Sequence, residues 1–248
     1  MNIDLDKIEA LKELLSQPKK VVILSHTNPD GDAIGSSLAL SQVLKQRGHT
    51  VNCILPNRFP YYLKWMPCCD ELIIHAQDKI GIAQSVIAAA DVVICADMSS
   101  LSRLEALTEI IAANTTAKRI LIDHHLSPSD EFDLIFSFPE SSSTAYLVYE
   151  ILKAAYGTEV FNQTIATLLY VGMITDTGNF AFSTINAELF RAAADLLETG
   201  IDVPTIYNNV YNSFTEGRAR LFGYVINRKM KTLLKGTVAY LSLTEEEM

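Results

Sequence analysis

The stretch VVILSHTNPDGDAIGSSLAL, residues 21–40, decides the fold. It opens on an unbroken apolar, β-branched run, the pattern of a strand buried on both faces. His26, Asp30 and Asp32 follow at once, and from Ala33 a helical pattern runs to Arg47 and stops at Gly48. A strand that ends in a histidine and two aspartates just before a helix matches the place where open α/β sheets hold their ligands.

The same rhythm extends on either side. Leu5, Ile8, Leu11, Leu14 and Leu15 recur at helical spacing upstream. Downstream, TVNCIL (50–55), ELIIH (71–75), DVVICAD (91–97) and RILIDHH (119–125) read as strands. Helices are expected over 80–90 and from near Leu101. Short apolar strands separated by helices predict an α/β fold: a parallel β-sheet covered by helices on both faces. After about Pro139 the patterns are helical almost throughout, until GTVAYLSLTEEEM at 236–248 opens a further strand.

Three strand ends share one chemistry. The first runs into His26, Asp30 and Asp32, the one over 91–97 ends at Asp97, and the one over 119–125 ends at Asp123, His124 and His125. Asp176 closes the long apolar helix IATLLYVGMITD. Each feature alone has an ordinary explanation: D-x-D is a common capped turn, Asp97 reads as a helix N-cap, and paired histidines are usually surface residues. Their coincidence on one sheet rim points instead to a metal centre. Carboxylates with imidazoles suit two divalent cations of the Mn²⁺ type, with Mg²⁺ as the harder alternative. Two such ions about 3.5–4 Å apart can clamp a phosphoryl group. His49 and His75 fall outside the pattern and read as structural.

Bulk properties narrow the classes. The net charge is −9, which argues against broad duplex binding through phosphate neutralisation. Cys53, Cys68, Cys69 and Cys95 form no C-x-x-C pair, so zinc ligation is not expected and free thiols in a reducing compartment are. No basic leader precedes the first amphipathic helix, and no apolar run reaches the roughly 18 residues of a membrane span. The expectation is a soluble, cytoplasmic protein with no membrane association.

The order SHTNPDGDAIGSSLAL, ADMSSLSRLE, IDHHLS and TDTGNFAFS resembles the DHH phosphoesterase superfamily, whose name is the motif at 123–125. Within it the chain is most similar to the bacterial bifunctional oligoribonuclease and pAp phosphatase (nanoRNase) branch, related to the RecJ exonucleases. The resemblance implies that His26 and Asp30 hold one metal and Asp32 and His124 the other, with Asp97 and Asp176 bridging or shared. Asp123 would orient a histidine, and His125 would donate to the scissile phosphate. Arg103 is read as a helix-surface charge in preference to a phosphate contact.

The implied activity is manganese-dependent hydrolysis of short oligoribonucleotides to 5′-mononucleotides and of 3′-phosphoadenosine 5′-phosphate to AMP. Alternatives are a family II-type inorganic pyrophosphatase, a hydrolase of pApA derived from cyclic dinucleotides, and a non-catalytic nucleotide-binding module. Partners would be short single-stranded RNA or small nucleotides, and the pattern leaves room for a homodimer. The expected layout is a DHH domain over 1–186, a helical linker over 187–234 carrying Arg218, Arg220, Arg228, Lys229 and Lys231, and the start of a truncated C-terminal domain over 235–248. Gly31 is expected to permit a sharp turn, and Gly35 and Ser36 to let the helix N-terminus approach phosphate oxygens.

Overall fold

The computed structural model describes residues 3–182 and 184–247. Ser183, the last residue of the TDTGNFAFS motif, and the ends of the chain at 1–2 and 248 lie outside the described residues. The chain forms two compact units, Met1–Ile206 and Tyr207–Met248.

The first unit is built on six strands: β1 (Lys20–Leu24), β2 (Thr50–Leu55), β3 (Ile73–Ile74), β4 (Val92–Ala96), β5 (Lys118–Asp123) and β6 (Leu134–Ser137). They form one sheet in the order β3-β2-β1-β4-β5-β6, and every pairing in it is parallel. The chain winds outward from β1 to β3 on one side and from β4 to β6 on the other, so the strand order reverses between β1 and β4. Such a switch point opens a crevice beyond the carboxyl ends of the strands. The register sets its contents: Leu24 lies opposite Cys95, and Cys95 opposite Leu121. His26, Asp97 and Asp123, each two residues further on, therefore emerge along one edge.

Helices α1 (Leu5–Leu14), α2 (Gly31–Gln46), α3 (Ile82–Ala88), α4 (Leu107–Ala113), α5 (Thr144–Tyr156), α6 (Gln163–Asp176), α7 (Ala187–Glu198) and α8 (Val203–Tyr207) accompany the sheet. Val22, Leu24, Val93, Cys95 and Leu121 pack against Ile87, Leu107 and Ile111 of α3 and α4. Alternation along a strand turns Ile23, Ile94 and Ile122, all buried, to the opposite face. Residues 31–41 of α2 and 168–174 of α6 are buried without interruption, as befits helices enclosed on all sides.

Gly35 and Gly172 make that enclosure possible. A Cβ on Gly35 would lie 2.4 Å from the Leu168 carbonyl oxygen, and one on Gly172 would lie 2.5 Å from Ala145 Cβ. Helices α2 and α6 thus meet backbone to backbone, and α5 closes on Gly172 through the Ala145 methyl. Gly35 serves this crossing, not an approach to phosphate, and Ser36 is buried with its hydroxyl donating to the Asp32 carbonyl at 2.6 Å. Gly31 is constrained in the same way: a Cβ there would meet the Thr175 side chain at 2.6 Å. These three positions are glycine or small because of packing.

Other differences from the sequence reading are local. The expected strand over 71–75 shortens to two residues, and the helix expected from Leu101 is a 3₁₀ turn, Leu101–Leu104, followed by α4. Strand β6 has no counterpart in that reading. Helix α7, placed by sequence in a linker, belongs to the first compact unit, which continues to Ile206. The second unit holds α9 (Glu216–Tyr224), a π-helical turn at Val225–Lys229, and an antiparallel hairpin of β7 (Lys231–Leu233) and β8 (Val238–Tyr240). Three of its basic residues have local partners: Arg220 pairs with Glu216, Lys229 with Glu247, and Arg218 lies 4.5 Å over the Phe214 ring. The four cysteines are free, and burial pushes the Cys53 thiol up to about 12. His49 is structural, its Nδ1 accepting from the Lys19 amide at 3.1 Å.

Candidate active site

Asp97 is the centre of the rim. It is 2% exposed and takes a left-handed backbone conformation (φ 62°) where β4 ends, while its amide continues the ladder to the Ile122 carbonyl. Its Oδ2 lies 3.4 Å from His26 Nε2, and its Oδ1 lies 3.6 Å from His124 Nε2. One carboxylate therefore faces two imidazoles from two different strand ends.

Three groups of donors meet here: Asp97 with His124 and His125 is one, and two further clusters flank it. In one, His26, Asp30 and Asp97 each offer a ligand atom, and these atoms lie within 4.8 Å of one another. In the other, Asp32, His124 and Asp176 do the same, with His124 Nε2 at 3.9 Å from Asp32 and 3.4 Å from Asp176. Separations of 3.4–3.9 Å are too long for good hydrogen bonds and suit donors arranged around a shared cation.

The histidines are fixed for ligation. His26 Nδ1 bonds the Thr27 carbonyl at 2.8 Å, and His124 Nδ1 bonds the Ser141 carbonyl at 3.3 Å. Each bond uses Nδ1–H and leaves the Nε2 lone pair pointing at the carboxylates. His125 is arranged differently: its Nδ1 donates to the fully buried Asp123 at 2.7 Å. Its side chain is 40% exposed, against 17% for His124.

The acids are held as firmly. Asp30 caps α2, its Oδ1 accepting from the amides of Asp32 and Ala33 at 3.0 Å. The capped-turn reading of D-x-D is thus correct for Asp30, and it coexists with a place in the cluster. Asp32 accepts from the Thr144 amide at 2.6 Å and the Ala145 amide at 2.7 Å, at the N-terminus of α5. Thr144 Oγ1 donates to Asp97 at 3.0 Å.

The segment ESSSTA, 140–145, therefore positions Asp32, Asp97 and His124 together, a role the sequence reading missed. Its only signal was a serine run before an apolar helix, which reads as a cap, and Ser143 does cap α5. A second link was also missed: Asn28, left-handed at φ 58°, exchanges two 2.7 Å hydrogen bonds with Asn57 and ties the His26 loop to the end of β2.

Electrostatics fit a cationic guest. Burial, then the charges of Asp97 and Asp176, push the Asp32 carboxyl well above the ordinary range. Burial, opposed by His124 and reinforced by Asp97 and Asp30, lifts Asp176 to about 6. Burial also works against charge on Asp97, but the His26 hydrogen bond and the three imidazoles outweigh it and hold its pKa down. Likewise, burial opposes a charged His26, and Asp97 with the Thr27 carbonyl overcomes it, raising the pKa above 6.5. Acids that cannot all ionise side by side are relieved by divalent cations, which replace the retained protons. The donor set of carboxylates and imidazoles, with no thiolate, fits hard or borderline ions.

A cleft of about 770 Å³ opens over the cluster, lined by Ser99, Arg103, His124, His125, Asp176 and Phe182 among others. Arg103 lines this cleft, where a phosphate contact would have to stand. Its carbonyl also takes both the amide and the hydroxyl of Thr27, at 3.0 and 3.1 Å.

The DHH family, N-terminal domain, matches residues 20–173. The chain belongs to the DHH family. Among DHH relatives, the "bifunctional oligoribonuclease and PAP phosphatase NrnA" of Thermus thermophilus is 29% identical over 197 residues, covering 79% of this chain and 55% of that protein. The chain thus spans little more than half of that relative's length. The crystal structure of an exopolyphosphatase-related protein from Bacteroides fragilis superposes with a TM-score of 0.94 at 39% identity, over 99% of this chain and 71% of the other. A putative family II inorganic pyrophosphatase from Methanococcus jannaschii shares the fold alone, with a TM-score of 0.57 at 19% identity over 86% of this chain and 67% of that one. No helix among the described residues of this DHH protein is long and apolar enough to cross a membrane.

Proposed function

We infer that this DHH protein is a phosphoesterase dependent on two divalent cations, with Mn²⁺ the preferred ion, acting on short oligoribonucleotides and on 3′-phosphoadenosine 5′-phosphate. The observation that carries this reading is Asp97, whose two oxygens stand between the His26–Asp30 donors and the His124-centred donors. His26 and Asp30 would hold one ion and Asp32, His124 and Asp176 the other, with Asp97 facing both groups. Bound there, such ions would polarise a phosphoryl group and lower the pKa of water. Similarity to the NrnA protein supports the choice of substrates.

The chain's own residues orient and neutralise. Asp123 fixes the His125 tautomer with Nδ1–H, which leaves Nε2 free to present a proton to a phosphoryl oxygen. Its hydrogen bond to Asp123 outweighs burial and raises the His125 pKa, favouring the charged donor form. Arg103 supplies planar guanidinium donors from the cleft wall, suited to the remaining phosphate oxygens. The Thr144 and Ala145 amides keep Asp32 from rotating as charge develops.

The test is a side-by-side assay of a labelled diribonucleotide, 3′-phosphoadenosine 5′-phosphate and pyrophosphate with Mn²⁺, with and without chelator. Chelator-sensitive release of mononucleotide and AMP is expected. Turnover of pyrophosphate alone would reject this reading in favour of a pyrophosphatase, and no turnover of any substrate would favour a binding module.

A further inference from the structure

Phe182 is an exposed aromatic side chain in the cleft over the cluster, 57% accessible, six residues beyond Asp176. The backbone that carries it is built with care. Gly178, Asn179 and Phe180 are successively left-handed, at φ 56°, 58° and 59°. For the two non-glycine residues this conformation is costly, and such strain persists where the surroundings over-determine it.

The hydrogen bonds do that here. The Asn179 amide donates to the Ile174 carbonyl at 2.7 Å, and the Ala181 and Phe182 amides both donate to the Thr177 carbonyl at 3.0 Å. The buried Thr177 hydroxyl also accepts from the Phe180 amide at 3.0 Å. The turn sends its two phenylalanines different ways. Phe180 packs with its centroid 6.0 Å from Tyr170 and 5.3 Å from Phe190, whereas Phe182 stands in the cleft. The Phe182 ring rests on Gly178, where a Cβ would come within 2.5 Å of it. One side of the ring is thus supported and the rest is open.

We propose that Phe182 is the platform on which the nucleobase stacks when the phosphate of the same nucleotide lies on the Asp97-centred cluster. This deepens the function inferred above and rests on its assignment of phosphate to that cluster. An aromatic face accepts any base, because every base has a π-surface. The cleft's volume of about 770 Å³ accommodates a nucleotide. Leu126, 76% exposed and directly after His125, adds a second apolar contact in the same cleft. The wall thus divides the ligand's chemistry: Arg103, His125 and the cations that the acids would hold face the charged end, and Phe182 with Leu126 take the planar, uncharged end.

Binding tests this without requiring turnover. AMP and ribose 5-phosphate share the phosphate and sugar and differ in the base. With the 248-residue chain and saturating Mn²⁺, calorimetry should give AMP an affinity roughly 10- to 100-fold above that of ribose 5-phosphate, the range of base–aromatic stacking. Phe182→Ala should erase most of that difference by weakening AMP alone, and Phe182→Trp should restore it. Equal affinity of the wild-type chain for the two ligands, binding of neither, or a Phe182→Ala variant that weakens both equally would overturn the proposal. If the chain hydrolyses none of the substrates above yet shows the Phe182-dependent preference for AMP, the catalytic reading falls and the stacking platform stands.

Discussion

Asp97 divides its carboxylate between two histidines, Oδ2 at 3.4 Å from His26 Nε2 and Oδ1 at 3.6 Å from His124 Nε2. Removing it should therefore damage both halves of the cluster, whereas Asp30 and Asp176 each belong to one. Asp97→Asn should lower Mn²⁺ affinity at both positions and reduce kcat/KM by more than about 100-fold, beyond the effect of losing an orienting partner alone. Asp176→Asn should leave one ion bound. Mn²⁺ titration followed by electron paramagnetic resonance counts the ions, and identical stoichiometry in the two variants would contradict the shared role.

The adjacent histidines should fail differently. His124 Nε2 faces three carboxylates, while the Nδ1 of His125 is taken up by Asp123. His124→Ala should lose metal. His125→Ala should retain both ions and lose about 10²- to 10⁴-fold in kcat, the usual reach of a positioned proton donor. Parallel metal titrations and steady-state kinetics separate the two; equal loss of metal would refute the division.

Thr144 tests the support that the sequence reading overlooked. Thr144→Val removes the hydroxyl that donates to Asp97 but keeps the amide that holds Asp32. Mn²⁺ affinity should fall by roughly 10- to 100-fold, with Thr144→Ser restoring it. An unchanged affinity would leave the Thr144 hydroxyl with no part in supporting the cluster.

Glycine replacements should separate packing from propensity. Gly35→Ala forces a methyl onto the Leu168 carbonyl and should destabilise the first unit by roughly 1–3 kcal/mol or more. Gly223 lies inside α9 with nothing within 4 Å of its missing Cβ, so Gly223→Ala should be neutral or stabilise by up to about 1 kcal/mol. Trp65, the single tryptophan, reports unfolding of the first unit in denaturant, and circular dichroism reports α9.

The Lys153–Asp195–Tyr149 group gives a pH dependence remote from the cluster. The Lys153 ammonium, 2.8 Å away, and the Tyr149 hydroxyl hold the Asp195 carboxyl below its ordinary value of 3.8. A depressed carboxyl pKa contributes stability that is complete above the ordinary value and disappears as pH falls through the lowered one. Wild type should exceed Asp195→Asn in stability at pH 7, and the gap should close below about pH 4. Because the pair is partly solvated, the gap should stay below about 1 kcal/mol. Urea melts across pH 2–8 measure it, and a gap that persists at pH 2 would exclude an ionic origin.

The rim was legible because its residues announce themselves in one dimension. A strand reads as an apolar run, and His26, Asp97 and Asp123 each follow one directly; parallel register then places them side by side without further information. Strand β6 was not legible. Its four residues, LIFS, have no pattern of their own and become a strand only by pairing Leu134 and Phe136 with Ile120 and Ile122 of β5. Gly35 was noticed and misread, since a glycine's need of space depends on a partner helix more than a hundred residues away. Thr144 was hidden for the opposite reason: a threonine in a serine run is fully explained by helix capping, and nothing local reveals a second bond to Asp97.

The contact between α2 and α6 fixes more than the core. Asp32 lies one helical turn before Gly35, and Asp176 one turn after Gly172, so the two carboxylates are mounted on the jaws of a vice whose pivot is that glycine pair. Because that pivot is backbone against backbone, the spacing of the two mounts is set by the helix pair itself, and the methyl of Gly35→Ala should weaken the hold on an ion between Asp32 and Asp176 as well as the fold.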